Sequence, residues 1–349
     1  MITVVVVDDS AFMRKALTTM LEKDPSIKVV ATARNGADGL DAIRQHDPDV
    51  VTLDIEMPKM DGLTALRHIM MEMPRPVLMV SSLTTDGAES TLKAMELGAV
   101  DFIPKQLSKV SLEIVKIEKD LQQKVKYISR RKIRAPRTRR PATAKAAPRA
   151  AVPAMTGRPK RDVIAIGVST GGPPAVQKVL SKFPANFPAA ILIAQHMPKA
   201  FTGPFAKRLD SVCNITVKEA QGSEPIASGT AYIAPGGSHL VLKQRGSRLE
   251  VCVVEEPKDA LYKPSANILL ESVAKAQGRR AVGAIFTGMG NDGLLGTREL
   301  KARGGFILAQ NDASCVVYGM PKAIVDAKLT DDVVDIDDMA AALMESIYK

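Results

Sequence analysis

The chain has 349 residues, 46% of them hydrophobic and 25% charged, which is enough for two or more soluble domains that each bury a core. No apolar run approaches the roughly 20 residues that span a bilayer, so direct membrane insertion is not expected. The net charge of +10 is local: Lys124 to Arg161 holds 14 Lys and Arg and no Asp or Glu, and subtracting those 14 leaves the rest of the chain at −4. Residues 1–122 alternate β-branched runs (TVVVV, KVVATA, DVVTLD, RPVLMVSS, VDFIP) with segments of helical apolar period. That pattern predicts a parallel sheet with crossover helices, a flavodoxin-like α/β domain. Asp9 or Ser10 can cap the first helix, and Pro58 and Pro74 interrupt helical continuation.

Residues 123–160 are rich in Arg, Pro and Ala and poor in large apolar residues, so they read as a flexible basic linker. Residues 161–349 resume the alternation with DVIAIGVS, AAILIAQH, GTAYIAP, LEVCVVE, AVGAIFTG and GFILAQN. A second, mostly parallel, doubly wound α/β domain is expected there, with YIAP through VCVVE forming an antiparallel hairpin. The N-terminus lacks a basic leader and a small-residue cleavage site, so a cytoplasmic location is expected. Cys213, Cys252 and Cys315 form no CxxC pair, which argues against a disulfide framework and a zinc site. Nothing in the sequence demands more than a monomer.

In the first domain Asp8 and Asp9 follow the first strand, Asp54 ends the third and Lys105 follows the fifth. The carboxyl ends of parallel strands converge on one crevice, so these residues become neighbours. Three carboxylates repel one another unless a hard cation sits among them, and Mg²⁺ favours such oxygen ligands. A carboxylate can attack phosphorus, while a Lys and a metal offset the charge of the transferring group. Any one of these acids alone would read as a solvated loop residue or a helix cap. Together, VVVVDDS, LDIEMPKMDG, MVSS and DFIPK resemble the motifs of response-regulator receiver domains in order and spacing. The resemblance implies Asp54 as phosphoacceptor and Asp8, Asp9 and Asp54 as Mg²⁺ ligands. It also implies Lys105 as the phosphate-contacting cation, Ser81 as the switch hydroxyl and Phe102 as the switch aromatic. Gln106 departs from the Pro that many receivers carry after that Lys.

The second domain holds two histidines, His196 and His239. Ser169 follows VIAIGV, His196 ends AAILIAQ and Asp292 follows AVGAIFTGMGN, so parallel strands would bring all three to one sheet edge. A serine hydroxyl needs a base, and the base needs a carboxylate to fix its tautomer. The glycines of GVSTGG permit a tight strand-to-helix turn, and the amides opening the next helix favour an anion. By itself that segment fits a phosphate-cradling turn or plain turn chemistry equally well, and it departs from the GxSxG elbow. His196 alone fits a structural histidine, and Asp292 alone a turn residue.

The motifs IGVSTGG, AQHMPKAFTGPFAKRL, YIAPGGSHL, FTGMGNDG and AQNDASCVVYGMP resemble the chemotaxis protein-glutamate methylesterase family over nearly all of 161–349. That family hydrolyses glutamate γ-methyl esters on chemoreceptors, releasing methanol, and deamidates receptor glutamines. The resemblance implies Ser169 as nucleophile, His196 as general base and then acid, Asp292 as orienting carboxylate and the Met289 N–H as oxyanion donor. It implies no cofactor for the ester reaction, chemoreceptors as substrate partners, and a chemotaxis histidine kinase as phosphodonor. An unphosphorylated receiver is expected to obstruct the active site.

Two other classes compete. A phospho-regulated nucleic-acid binder would use the basic linker, but that segment has one Tyr127 and no interleaved aromatics. A nucleotide-dependent oxidoreductase would need an acid about 20 residues past GVSTGG, where Gln195 and His196 stand instead.

Overall fold

A computed structural model describes residues 1–105, 111–130 and 157–349, which form two compact units on either side of the stretch 131–156. Most of the expected linker and the Gln106 position therefore lie outside the described residues. Among those described, no helix is long and apolar enough to cross a membrane.

The first unit alternates β1 (Ile2–Val7), α1 (Ala11–Glu22), β2 (Ile27–Ala33), α2 (Gly36–His46) and β3 (Val50–Asp54), then α3 (Gly62–Glu72), β4 (Val77–Ser81), α4 (Thr85–Glu96), β5 (Asp101–Pro104) and α5 (Ser111–Ile128). The strand order is β2-β1-β3-β4-β5, all parallel. Helices cover both faces, so the central strands are mostly apolar; Val4 to Val7 and Val77 to Val80 are fully buried, and Thr52 of β3 is a buried polar exception. Ser10 caps α1, accepting from the Met13 amide. α5 runs past the boundary drawn at 122 because Leu121, Val125 and Ile128 recur at helical spacing and are buried.

The second unit contains β6 (Val163–Val168), α6 (Gly172–Leu180), β7 (Ala190–Gln195), α7 (Lys199–Asp210), β8 (Thr216–Glu219), β9 (Ser223–Pro225), β10 (Thr230–Ile233), β11 (His239–Arg245) and β12 (Arg248–Val254). It continues through α8 (Ala266–Ala276), β13 (Ala281–Ile285), α9 (Leu294–Ala302), β14 (Phe306–Gln310), α10 (Met320–Asp326), β15 (Asp332–Val334) and α11 (Met339–Ser346). Its main sheet is wholly parallel, in the order β15-β14-β13-β6-β7-β10-β8. The expected hairpin partner changes: β10, which carries Tyr232 and Ile233, is a central strand of this parallel sheet. The hairpin is β11 with β12, and β9 adds a third antiparallel strand. Burial explains the difference. β10 is buried at every residue, as an internal parallel strand must be, whereas β11 and β12 leave much of their length toward solvent.

Chain order reverses at β6, which has the next strand in sequence, β7, on one side and the later β13 on the other. Ligands of open parallel sheets bind at such a switch point, beyond the carboxyl ends of the strands.

Candidate active site and receiver centre

Ser169, His196 and Asp292 lie beyond the ends of β6, β7 and β13, three adjacent strands. Register sets the first two side by side. Val168 pairs with Gln195, and the His196 amide donates to the Val168 carbonyl at 3.0 Å. The Ser169 amide in turn donates to Thr287, just beyond β13, at 3.0 Å. Gly171 begins the turn into α6 at φ +75°, where a Cβ would also come within 2.5 Å of Val316, so only glycine fits. Pro173 and Pro174 occupy the first turn of α6, as expected.

His196 Nε2 lies 2.8 Å from Asp292 Oδ2. Asp292 is buried and sits at the N-terminus of α8, where it accepts from Ser265 Oγ at 2.9 Å and from the amides of Ala266 and Asn267 at 2.7 and 3.0 Å. Burial pushes its pKa up. The hydrogen bond and charge of His196, with the Asn267 and Ala266 amides, outweigh that effect and hold the carboxyl below its ordinary value. An ionised carboxylate only accepts, so the proton of the neutral ring resides on Nε2 and the free lone pair on Nδ1. Nδ1 is buried and has no hydrogen-bond partner among the described residues.

The turn 287–293 is clamped to the loop before α10. The Gly288 amide donates to Val317, and the amides of Gly319 and Met320 donate back to Gly288. The Thr287 hydroxyl donates to the Thr170 carbonyl at 2.8 Å, and Gln195 Nε2 donates to the Ser169 carbonyl at 3.0 Å. Among the described residues, the amides of Met289 and Thr170 make no backbone hydrogen bond. His239, the other histidine of this unit, is wholly buried behind the site. Its Nδ1 accepts from the Ser265 amide at 3.3 Å, and desolvation lowers its pKa, so it is a structural neighbour of the Asp292 shell.

The strand ends bring Ser169, His196 and Asp292 to one sheet edge as the sequence pattern implies, but the residues that support them carry no such signal. Ser265 precedes α8 and reads as an ordinary cap. Tyr262 stacks on the His196 ring with centroids 4.3 Å apart and planes 7° from parallel, and it comes from a loop without sequence period.

In the first unit, ligand atoms of Asp8, Asp9 and Asp54 all lie within 4.8 Å of one another. Lys105 Nζ stands 3.0 Å from Asp8 Oδ2 and 2.7 Å from Asp54 Oδ2. Both oxygens are buried and, despite that ion pairing, lack an aligned hydrogen bond. Burial raises the Asp54 pKa to about 6; Lys105 opposes the shift and Asp8 adds to it. Clustered hard oxygens with unspent acceptor capacity fit a Mg²⁺ ion. Ser81 Oγ faces α4, accepting from Thr91 Oγ1 at 2.6 Å and donating to the Gly87 carbonyl at 3.1 Å. Phe102 is buried, with the Lys124 ammonium 5.7 Å from its ring centroid.

Residues 4–115 match the response regulator receiver domain and residues 164–343 match the family described as CheB methylesterase. The class is thus a receiver joined to a methylesterase unit. Over its full length and theirs, the chain is 69% identical to protein-glutamate methylesterase/protein-glutamine glutaminase 2 of Nitratidesulfovibrio vulgaris and 56% identical to the protein-glutamate methylesterase/protein-glutamine glutaminase of Lawsonia intracellularis. The solved CheB methylesterase catalytic domain of Thermotoga maritima is 36% identical, with a TM-score of 0.52, covering 53% of this chain and 98% of that one. The chain belongs to the protein-glutamate methylesterase/protein-glutamine glutaminase family.

Proposed function

We propose that this chain hydrolyses glutamate γ-methyl esters, and deamidates glutamines, on the cytoplasmic helices of chemoreceptors, under control of phosphorylation at Asp54. The observation that carries the reading is the His196–Asp292 pair beside Ser169, with the unpartnered Nδ1 available as base. Ser169 Oγ attacks the γ-carbonyl carbon while His196 Nδ1 takes the hydroxyl proton. Negative charge gathers on the former carbonyl oxygen, where the free amides of Met289 and Thr170 can donate. Collapse breaks the C–O bond, and the imidazolium returns its proton to the leaving methoxide, releasing methanol. Water, deprotonated by the same Nδ1, then attacks the acyl-enzyme and frees the glutamate carboxylate. With a glutamine substrate the leaving group is ammonia.

In the receiver, Asp8, Asp9 and Asp54 would hold Mg²⁺, which supplies positive charge against the oxygens of an incoming phosphoryl group. An Asp54 carboxylate oxygen attacks phosphorus, with a chemotaxis histidine kinase as the donor, and Lys105 neutralises the product. Ser81 and Phe102 carry the change outward, Ser81 by exchanging its bond to α4 for one to the phosphoryl group. The reading places a monomer in the cytoplasm. Nucleic-acid binding loses support because the described residues of the second unit build a seven-stranded parallel sheet and a three-stranded antiparallel one, matched by a methylesterase family.

The test is methanol release from methylated receptor membranes, with and without phosphodonor. Release by Ser169→Ala at a rate near wild type would overturn the reading.

A further inference from the structure

We infer that Tyr262 is a positioning residue for His196, its ring setting the plane of the imidazole so that Nδ1 faces Ser169. The inference rests on the reading of His196 as base. Asp292 holds the imidazole through Nε2, and among the described residues Nδ1 has no hydrogen-bond partner. The Cβ–Cγ axis of a histidine passes between Cε1 and Nε2, so a partial turn about that bond carries Nδ1 farther than Nε2 and strains the Asp292 hydrogen bond more in its angle than in its length. That one bond resists turning of the ring plane only through its N–H direction, and a hydrogen bond weakens steeply only below roughly 120°. The parallel ring of Tyr262, 4.3 Å away and tilted by only 7°, supplies the missing constraint, because turning the imidazole would drive its edge into the aromatic face.

The placement of Tyr262 is itself determined. It stands three residues before Ser265, the cap of α8, and the residues after that cap donate to Asp292. One short segment, 262–267, thus controls both the edge of the imidazole, through Asp292, and its face, through Tyr262. The segment is tied down by the Gly237 amide donating to Lys263 and the Ser265 amide donating to His239. At its far end the Tyr262 ring reaches the turn that carries Met289: a Cβ on Gly290 would lie 3.3 Å from the Tyr262 hydroxyl. The ring also covers one face of the imidazole and keeps bulk water from it.

The experiment measures kcat and KM for methanol release by the full chain with phosphodonor, comparing wild type, Tyr262→Phe, Tyr262→Leu and His196→Gln. Rates are expressed per folded chain, the folded fraction of each variant being read from its cooperative urea unfolding transition, so that misfolded protein does not count. Tyr262→Phe keeps the stack and is expected to match wild type. Tyr262→Leu is expected to lose kcat by roughly 10-fold, the upper range for one aromatic pair, with KM unchanged. A Leu variant with wild-type kcat, a Phe variant as slow as the Leu variant, or a change confined to KM would each overturn the inference. A normal rate in His196→Gln would remove the base assignment and this inference with it. An inactive His196→Gln beside a normal Tyr262→Leu would remove this inference alone.

Discussion

Asp292 grips His196 at Nε2, the ring nitrogen remote from the backbone, at 2.8 Å, and so leaves Nδ1 buried without a hydrogen-bond partner among the described residues. The carboxylate also accepts from Ser265, Ala266 and Asn267, which means both of its oxygens are committed. In Asp292→Asn the amide nitrogen must point at one of those donors or at Nε2–H, a clash either way. The substitution is therefore expected to lower kcat by about 10³-fold or more, since the wrong tautomer removes the base. Methanol release under saturating receptor measures it; a loss below about 10-fold would show that Asp292 does not orient the base.

The same carboxylate gives a stability signature. Its folded pKa lies below the ordinary value, so it contributes stability above the unfolded pKa of about 3.9 and loses that contribution as pH falls through the folded value. Urea unfolding of wild type and Asp292→Asn should differ most near neutral pH. The difference should narrow as pH drops below about 4, where the unfolded carboxyl protonates. A difference independent of pH would remove ionisation as its cause.

Ser169→Ala separates the two chemistries. The acids of the receiver centre follow β1 (Asp8 and Asp9) or end β3 (Asp54), whereas Ser169 follows β6 of the second unit. The variant is expected to release no methanol while Asp54 takes up phosphate at the wild-type rate, followed with labelled phosphodonor. Loss of both would indicate a folding defect rather than a missing nucleophile.

What the sequence made legible was set by strand ends. Ser169, His196 and Asp292 each follow an apolar run, and in a parallel sheet that alone fixes the edge on which they emerge. The same logic placed Asp8, Asp9, Asp54 and Lys105 together. It failed where position depends on tertiary contact. β10 has the composition of either a hairpin or a central strand, and only its two buried faces decide. Tyr262 and Ser265 lie in an irregular loop whose path depends on His239 and Asp292, neither near in sequence. The short β8, β9 and β15 carry too few apolar residues to announce themselves.

Gly288 is a further example of tertiary constraint. A Cβ there would lie 2.4 Å from Met320 Sδ and 2.8 Å from Ser169 Cβ. Gly288→Ala must therefore displace the Met320 side chain together with either Ser169 or the turn that carries Met289. Overpacking of this kind typically costs about 1–3 kcal/mol in stability. A rate loss of at least about 10-fold is expected as well, because reacting atoms tolerate little misplacement. Urea unfolding and kcat together check this; full activity with reduced stability would mean that the strain relaxes away from Ser169.

Control by the receiver can be tested by removing first the carboxylate and then the metal. Asp54 is buried beside Lys105 and Asp8, a setting in which added phosphoryl charge must change the balance of the cluster. A phosphoryl mimic with Mg²⁺ is expected to stimulate methanol release in wild type and to have no effect on Asp54→Ala. A chelator should abolish the stimulation while leaving the unstimulated rate intact, because the ester chemistry proposed for Ser169, His196 and Asp292 draws only on side-chain and backbone groups. If the chelator instead stopped the unstimulated reaction, the second unit would need a metal for catalysis and the assignment of His196 as the base would fail. If Asp54→Ala still responded to the mimic, the switch would have to be sought at another carboxylate, with Asp8 and Asp9 the first to exchange for Asn.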